Sequence, residues 1–212
     1  MCGINGFNWK DEYIIEKMNS SLRHRGPDDE GIYVDEEVSL GHLRLSIIDL
    51  SENGHQPMSD RQDKFFIIYN GEVYNFQALR EELELLGYSF KSNTDTEVIL
   101  YSYMQWKERC LEKFNGMFAF AVYDSESKRL FLARDRMGIK PLYYYFDEKN
   151  EVFLFSSEIP PLLEHKIDIE PNKKLIKDYL LYNVSDHTDE TFFGGIKKIP
   201  KGCYATFDLM RC

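Results

Sequence analysis

The stretch Met117-Phe118-Ala119-Phe120-Ala121-Val122 carries an apolar side chain at every position. Successive side chains of an extended strand point to opposite faces, so an unbroken apolar run marks a strand covered on both sides. A strand open to water on one side would alternate with polar residues. The reading is therefore of stacked sheets covered by helices. Outward from this run, Met117 to Tyr123, Leu130 to Arg134, Leu142 to Phe146 and Val152 to Ser156 form a ladder of strands separated by polar turns. The three tyrosines at 143 to 145 belong to that sheet packing, since an acidic chain is a poor base-stacking platform.

Towards the amino terminus, residues 2 to 8 read as a strand. Ile14, Ile15, Met18 and Leu22 then recur at helical spacing in a segment of about 11 residues that ends near Arg23. Arg23-His24-Arg25-Gly26-Pro27-Asp28-Asp29-Glu30-Gly31 follows as a polar loop. Residues 31 to 35 and 39 to 48 read as paired strands, the second with Leu43, Leu45 and Ile47 on one face and Arg44 and Ser46 on the other. Phe65 to Tyr69 is a short apolar strand that Asn70-Gly71 closes as a hairpin turn. Asn75 caps a helix whose stripe is Phe76, Leu79, Leu83 and Leu86, with Gly87 as its stop. Thr94-Asp95-Thr96-Glu97 fits a capping box, continued by a buried face of Ile99, Tyr103, Trp106 and Cys110. Pro160-Pro161 disfavours a helix interior, Leu175, Tyr179 and Tyr182 form a helical stripe after Pro171, and residues 202 to 208 are a last strand.

Composition narrows the classes. The 212 residues are 43% hydrophobic and 15% aromatic, enough to bury a large core as a single domain. Four cysteines, Cys2, Cys110, Cys203 and Cys212, stand far apart without C-x-x-C spacing, which argues against a disulfide framework or zinc knuckle and fits a reducing cytoplasm. Cys110 and Cys203 read as inert core thiols, and Cys212 carries no assignment. Five histidines show no metal-ligand spacing, so no metal site is expected. The chain starts without a signal peptide's basic region and apolar run, and no stretch approaches the ~20 apolar residues of a membrane span. A net charge of -10 repels phosphate backbones and anionic lipid, so neither nucleic acid nor a membrane is an expected partner.

The opening Met1-Cys2-Gly3-Ile4-Asn5-Gly6-Phe7 carries the chemistry. Removal of Met1 would put a thiol and a free α-amine on one residue. The amine, with a reference pKa of about 7.7 to 8.0, can accept the proton of a thiol of about 8.5, so nucleophile and base need no histidine. Gly3 has no Cβ to obstruct a substrate. Arg44 in its strand either pairs with a surface acid or grips a carboxylate bidentately. Asn70-Gly71, as a turn, can aim an amide and a backbone N–H at one point, as an oxyanion hole requires. Asp95 is explained by the preference of acids for a helix's first turn, and such a carboxylate is also well fixed in direction.

Met-Cys-Gly-Ile at 1 to 4, Arg-Gly-Pro-Asp at 25 to 28, Leu-Arg-Leu-Ser-Ile-Ile-Asp at 43 to 49, Asn-Gly-Glu at 70 to 72 and Thr-Asp-Thr-Glu at 94 to 97 together resemble the class II glutamine amidotransferase family over nearly the whole length. Leu43 to Asp49 and Gly54-His55-Gln56-Pro57-Met58 resemble its asparagine synthetase branch most. Arg134 to Leu142 resembles a segment shared by several branches, and Pro160-Pro161 departs from the family pattern. The resemblance implies an α+β fold, the four-layer α/β/β/α N-terminal-nucleophile (Ntn) hydrolase sandwich of two mostly antiparallel sheets between helices, across residues 1–212.

The resemblance also implies a mechanism and roles. Cys2 attacks the side-chain amide of L-glutamine, its α-amine shuttles the proton, and Asn70 with Gly71 stabilises the oxyanion. Arg44 holds the α-carboxylate, with Leu45, Ser46, Ile47 and Ile48 lining the same pocket. Glu72 helps receive the substrate, Asp95 binds its α-ammonium, and Arg25 and Asp28 brace the cysteine from behind. The Ser-Gly-Gly-x-Asp-Ser loop of the synthetase half is absent. No cofactor is expected in this chain; ATP and magnesium belong to a missing synthetase domain that accepts the ammonia in cis or in trans. A homodimer is left open. Two alternatives stand: a branch feeding ammonia to a sugar phosphate or purine precursor, and a catalytically silent glutamine-binding or partner-docking module.

Overall fold

The computed structural model describes residues 1–209. The central run forms part of strand β6 (Gly116–Asp124), and its faces divide as the composition demands. Phe118, Phe120 and Val122 enter one core cluster, while Ala119, Ala121 and Tyr123 enter another. Its neighbour β5 (Phe65–Val73) does the same, with Ile67 and Tyr69 on one side and Phe66 and Ile68 on the other. Neither strand could be stable with a face in water, because each buried aromatic or aliphatic side chain contributes about 1.5–3 kcal/mol on leaving it.

Two antiparallel sheets result. The strands in chain order are β1 (Gly3–Phe7), β2 (Asp29–Val34), β3 (Ser39–Arg44), β4 (Met58–Ser59), β5, β6, β7 (Arg129–Arg134), β8 (Tyr143–Asp147), β9 (Val152–Ser156), β10 (Ile196–Lys198) and β11 (Tyr204–Asp208). One sheet has the order β10-β8-β9-β1-β3-β2 and the other β11-β7-β6-β5-β4. Ile4 and Leu40 of the first meet Ile68 and Ala121 of the second in the layer between them. Helices α2 (Phe76–Leu85) and α3 (Asp95–Trp106) cover the outer face of the second sheet through Leu79, Leu83 and Ile99. Helix α1 (Glu12–Leu22) covers the outer face of the first through Ile15 and Met18, which pack with Phe7 and Leu154. This is the four-layer α/β/β/α sandwich. The short α4 (Cys110–Lys113) leads into β6, and α5 (Lys173–Tyr182) lies near the carboxyl end.

The structure corrects the sequence reading in several places. Strand β3 stops at Arg44, and residues 45–48 form a loop in which Ile47 is 73% exposed. Strict alternation does not identify a strand where a loop arranges groups around a cavity. Asn70-Gly71 is no hairpin turn: β5 runs through it, with Asn70 opposite Ala119 and Gly71 opposite Phe118. Glycine is required there by close approach, since a Cβ would lie 2.3 Å from the Met117 carbonyl oxygen. Asn75 sits at the helix start without a side-chain cap, and instead bridges the Lys113 carbonyl and the Asn115 N–H at 2.9 Å each. Thr94 caps α3 by accepting from the Glu97 N–H at 3.3 Å, but Glu97 reaches the N–H groups of Lys91 and Ser92, so only half of the box closes.

Leu86, Tyr179 and Tyr182 are exposed at helix surfaces and are not core. Cys110 is buried, but Cys203 is an exposed thiol in the turn before β11, and Cys212 lies outside the described residues. Pro160-Pro161 opens a short 3₁₀ turn over 160–164, where the missing N–H groups cost nothing. Among the described residues no helix is long and apolar enough to cross a membrane.

Candidate active site

A cavity of about 110 Å³ opens where the amino-terminal residues, the loop after β3, the far end of β5 and the start of α3 converge. That is several times the space one water requires, so it suits a small ligand. Cys2, Arg44, Asn70, Gly71, Glu72 and Asp95 all line it. Four separate segments deliver them, spread over most of the first hundred residues.

Cys2 precedes β1, which is locked between β3 and β9, so the residue is held at a fixed point on the sheet's end. Its Sγ accepts from the Leu45 N–H at 3.4 Å and faces the Leu45 carbonyl at 3.7 Å. Burial holds the thiol above its ordinary range; the Leu45 N–H, the terminal ammonium, Arg44 and Lys140 oppose this. Burial also lowers the Met1 ammonium, with Arg25 and Lys140 pushing in the same direction. The terminal amine donates to the Arg25 carbonyl at 3.1 Å.

Arg25, which follows α1, reaches back with Nε to the Cys2 carbonyl at 2.9 Å and with Nη1 to Glu158 at 2.7 Å. It thus braces the cysteine's backbone. Asp28 does not touch Cys2: its carboxylate accepts from the Ser46 N–H at 2.8 Å and so shapes the loop over 45–48. Within that loop Leu45, Ile47 and Ile48 line the cavity, but Ser46 turns to a neighbouring depression with Asp28 and His55. Arg44 is 6% exposed and gives Nη1 to the Ser51 carbonyl at 2.9 Å and Nη2 to the Asp49 carbonyl. Two of its five donors are thereby used, which orients the guanidinium without exhausting it.

Asp95 accepts from the Tyr69 hydroxyl at 2.7 Å and the Val73 N–H at 3.0 Å, both on Oδ2. Burial raises its carboxyl, and the two donors work against the shift. Asn70 stands apart from these engaged groups. It is 1% exposed and its Nδ2 has no hydrogen-bond partner among the described residues. A buried unpaired amide costs about 1–3 kcal/mol, which a fold recovers only if something else comes to accept the bond.

Sequence reasoning did not single out Gln56, Tyr69, Thr96, Met117 or Lys140, all of which line the cavity. Gln56 accepts from the Tyr69 N–H at 2.7 Å and donates to Thr96 Oγ1 at 3.3 Å, tying β5 to the start of α3. Its only signal was the run His55-Gln56-Pro57. Lys140 lay unremarked inside the Arg134 to Leu142 segment.

The sequence model of the glutamine amidotransferase domain matches residues 1–211. The chain belongs to that family. Among the amidotransferase relatives, asparagine synthetase [glutamine-hydrolyzing] 3 of Bacillus subtilis is 40% identical over 98% of this chain, and a putative asparagine synthetase 2 of Methanocaldococcus jannaschii is 45% identical over 82% of it. The chain spans only 35% and 36% of those two relatives. Among solved structures, the allosteric regulatory enzyme of purine biosynthesis superposes with a TM-score of 0.70 at 18% identity, covering 98% of this chain and 47% of that one. That likeness establishes the Ntn amidotransferase fold alone.

Proposed function

We propose that this amidotransferase domain is the glutaminase half of an asparagine synthetase-like enzyme, with Cys2 as its nucleophile once Met1 has been removed. The observation that carries the reading is the unpartnered Asn70 amide, a buried donor in the wall of the same cavity as the thiol. The Cys2 thiolate attacks the side-chain carbonyl carbon of glutamine and forms the C–S bond. The negative charge moves to the carbonyl oxygen, where Asn70 Nδ2 and the Gly71 backbone receive it. The cysteine's own α-amine, having taken the thiol proton, passes it to the leaving nitrogen as the C–N bond breaks. Ammonia departs. Water, activated by the same amine, hydrolyses the thioester to glutamate and restores the thiol.

Substrate orientation follows from charge. Asp95, held on one oxygen by Tyr69 and Val73, takes the α-ammonium with the other, and the remaining donors of Arg44 take the α-carboxylate. Glu72 completes the receiving wall. Ammonia acceptance, ATP and magnesium fall to a synthetase domain corresponding to the part of the relatives that this chain does not span. Among the described residues Cys2, Cys110 and Cys203 are free thiols, which suits a reducing cytoplasm. The sugar-phosphate and purine alternatives are not favoured, since the relatives at 40% and 45% identity are named as asparagine synthetases.

The test combines three measurements on the protein. Intact mass reports removal of Met1, a glutamine-mimicking electrophile should form its adduct at Cys2, and Cys2→Ala should abolish release of ammonia from glutamine while leaving the thermal midpoint unchanged. A Met1-free, folded protein that forms no adduct and releases no ammonia would overturn the reading in favour of a silent glutamine-binding module.

A further inference from the structure

The segment Arg134 to Leu142 has no part in the chemistry described so far, yet it delivers a cation to the cavity. It begins at the end of β7, where Asp135 is 1% exposed and its carboxylate gathers the N–H groups of Phe118, Met137, Ile139 and Lys140 at 2.9–3.2 Å. Arg134 closes the other side, donating to the carbonyls of Lys140 and Gly138 at 2.8 Å each. The N–H and the C=O of Lys140 are both pinned, and Pro141 fixes the backbone that follows.

The side chain of Lys140 is 6% exposed and lines the cavity with Cys2, but Nζ makes no hydrogen bond and no ion pair among the described residues. The two arginines near Cys2 are engaged, although Arg25 Nη2 has no partner among the described residues. Arg25 is committed to the Cys2 carbonyl and Glu158, and Arg44 to the carbonyls of Ser51 and Asp49. An ammonium taken out of water without a partner is costly, and a flexible four-carbon stem could easily have carried it outward. A rigid loop that keeps it inside has placed it.

We propose that Lys140 is a positioning residue of the nucleophile, its ammonium serving as the counter-charge of the Cys2 sulfur when the thiol is ionised. The proposal rests on the reading of Cys2 as the nucleophile. The charges around the pair are Arg25 from the loop after α1, Arg44 from the end of β3, Glu72 from β5, Asp95 from α3, Asp135 from the segment itself, and the terminal amine. Asp95 faces Tyr69 and Val73, and Asp135 is saturated by backbone N–H groups, so neither neutralises Nζ. Burial lowers Lys140, whereas Cys2, Asp135 and Glu72 favour its charged form. The same cation favours the sulfur's ionised form and, while Met1 is in place, the free-base form of the Met1 amine.

The pH profile of Cys2 alkylation by iodoacetamide, read by mass spectrometry at that residue, tests this without requiring turnover or a free α-amine. In the wild-type protein a glutamine-mimicking electrophile first establishes whether Cys2 is the nucleophile, so failure of that reading is seen separately. Lys140→Met should move the alkylation midpoint up by about one pH unit, about a tenfold slower reaction at a fixed pH below it. Lys140→Arg should restore the wild-type profile. If Lys140→Met does not fold, Lys140→Gln, which keeps a polar tip of similar reach, gives the same reading. A folded Met or Gln variant with an unchanged midpoint, or an Arg variant shifted as far as Met, would overturn the proposal.

Discussion

Strand β5 passes through two environments along one hydrogen-bonded ladder. Tyr69 lies opposite Phe120 and Asn70 opposite Ala119, so the two positions differ by a single step in the same antiparallel pairing. Before that step, Phe66 and Ile68 enter one apolar layer and Ile67 the other, beside neighbours such as Val122 and Phe131. After it Asn70, Gly71 and Glu72 line the cavity instead. The backbone ladder is indifferent to function. What separates scaffold from site is whether the groups on each face find their partners within the protein or leave them for a ligand.

Substitutions on either side of the step should therefore fail in different ways. Asn70→Ala is expected to lower kcat for glutamine hydrolysis by about 10²- to 10³-fold, as loss of one oxyanion donor does elsewhere. Its thermal midpoint should stay or rise, because the amide removed had no partner. Steady-state kinetics beside a melting curve check this; activity kept with stability lost would place Asn70 in the scaffold and not in the site. One step away, Phe120→Ala should show the reverse. It empties a fully buried site packed against Phe114 and Phe131, costing about 3–5 kcal/mol in denaturant unfolding with kcat per folded molecule unchanged.

A smaller effect sharpens the boundary between the regions. His42 of β3 is fully buried, pairs Nε2 with the Tyr69 carbonyl at 3.1 Å and has no partner for Nδ1 among the described residues. Burial depresses its pKa from 6.5 to about 4. The unfolded chain therefore takes up a proton before the folded one, so stability is fully present above pH 6.5 and declines as pH falls towards 4. The loss should approach about 3 kcal/mol. His165, depressed to about 4 beside Met18 and the Trp9 ring, contributes in the same direction. Urea midpoints at neutral and acidic pH should show this decline, and it should be shallower in His42→Phe.

Much of the fold was legible before any coordinates, because burial on two faces leaves a compositional mark. Phe118 to Val122 declared a covered strand, and the helical stripes of Ile15 with Met18 and of Leu79 with Leu83 declared the outer layers. Boundaries near the cavity were less legible. The run Leu43 to Ile47 keeps the alternation of a strand yet leaves the sheet after Arg44, because Asp28 and Arg44 redirect the loop through hydrogen bonds that no local pattern encodes. Asn70-Gly71 carried a strong turn signal that the long pairing with β6 overrode.

The layered architecture and the acidic composition could be read from residue type and from periods of two and 3.6. Only the tertiary structure decided which groups meet. It separated Ser46 from its neighbours in the loop, kept Asp28 away from Cys2, left Asn70 Nδ2 unpartnered and brought Lys140, distant in the chain, into the same wall. A partner's absence or presence is a property of packing between segments distant in the chain, from 18 residues for Asp28 with Ser46 to more than a hundred for Lys140 with Cys2, where no local preference reaches.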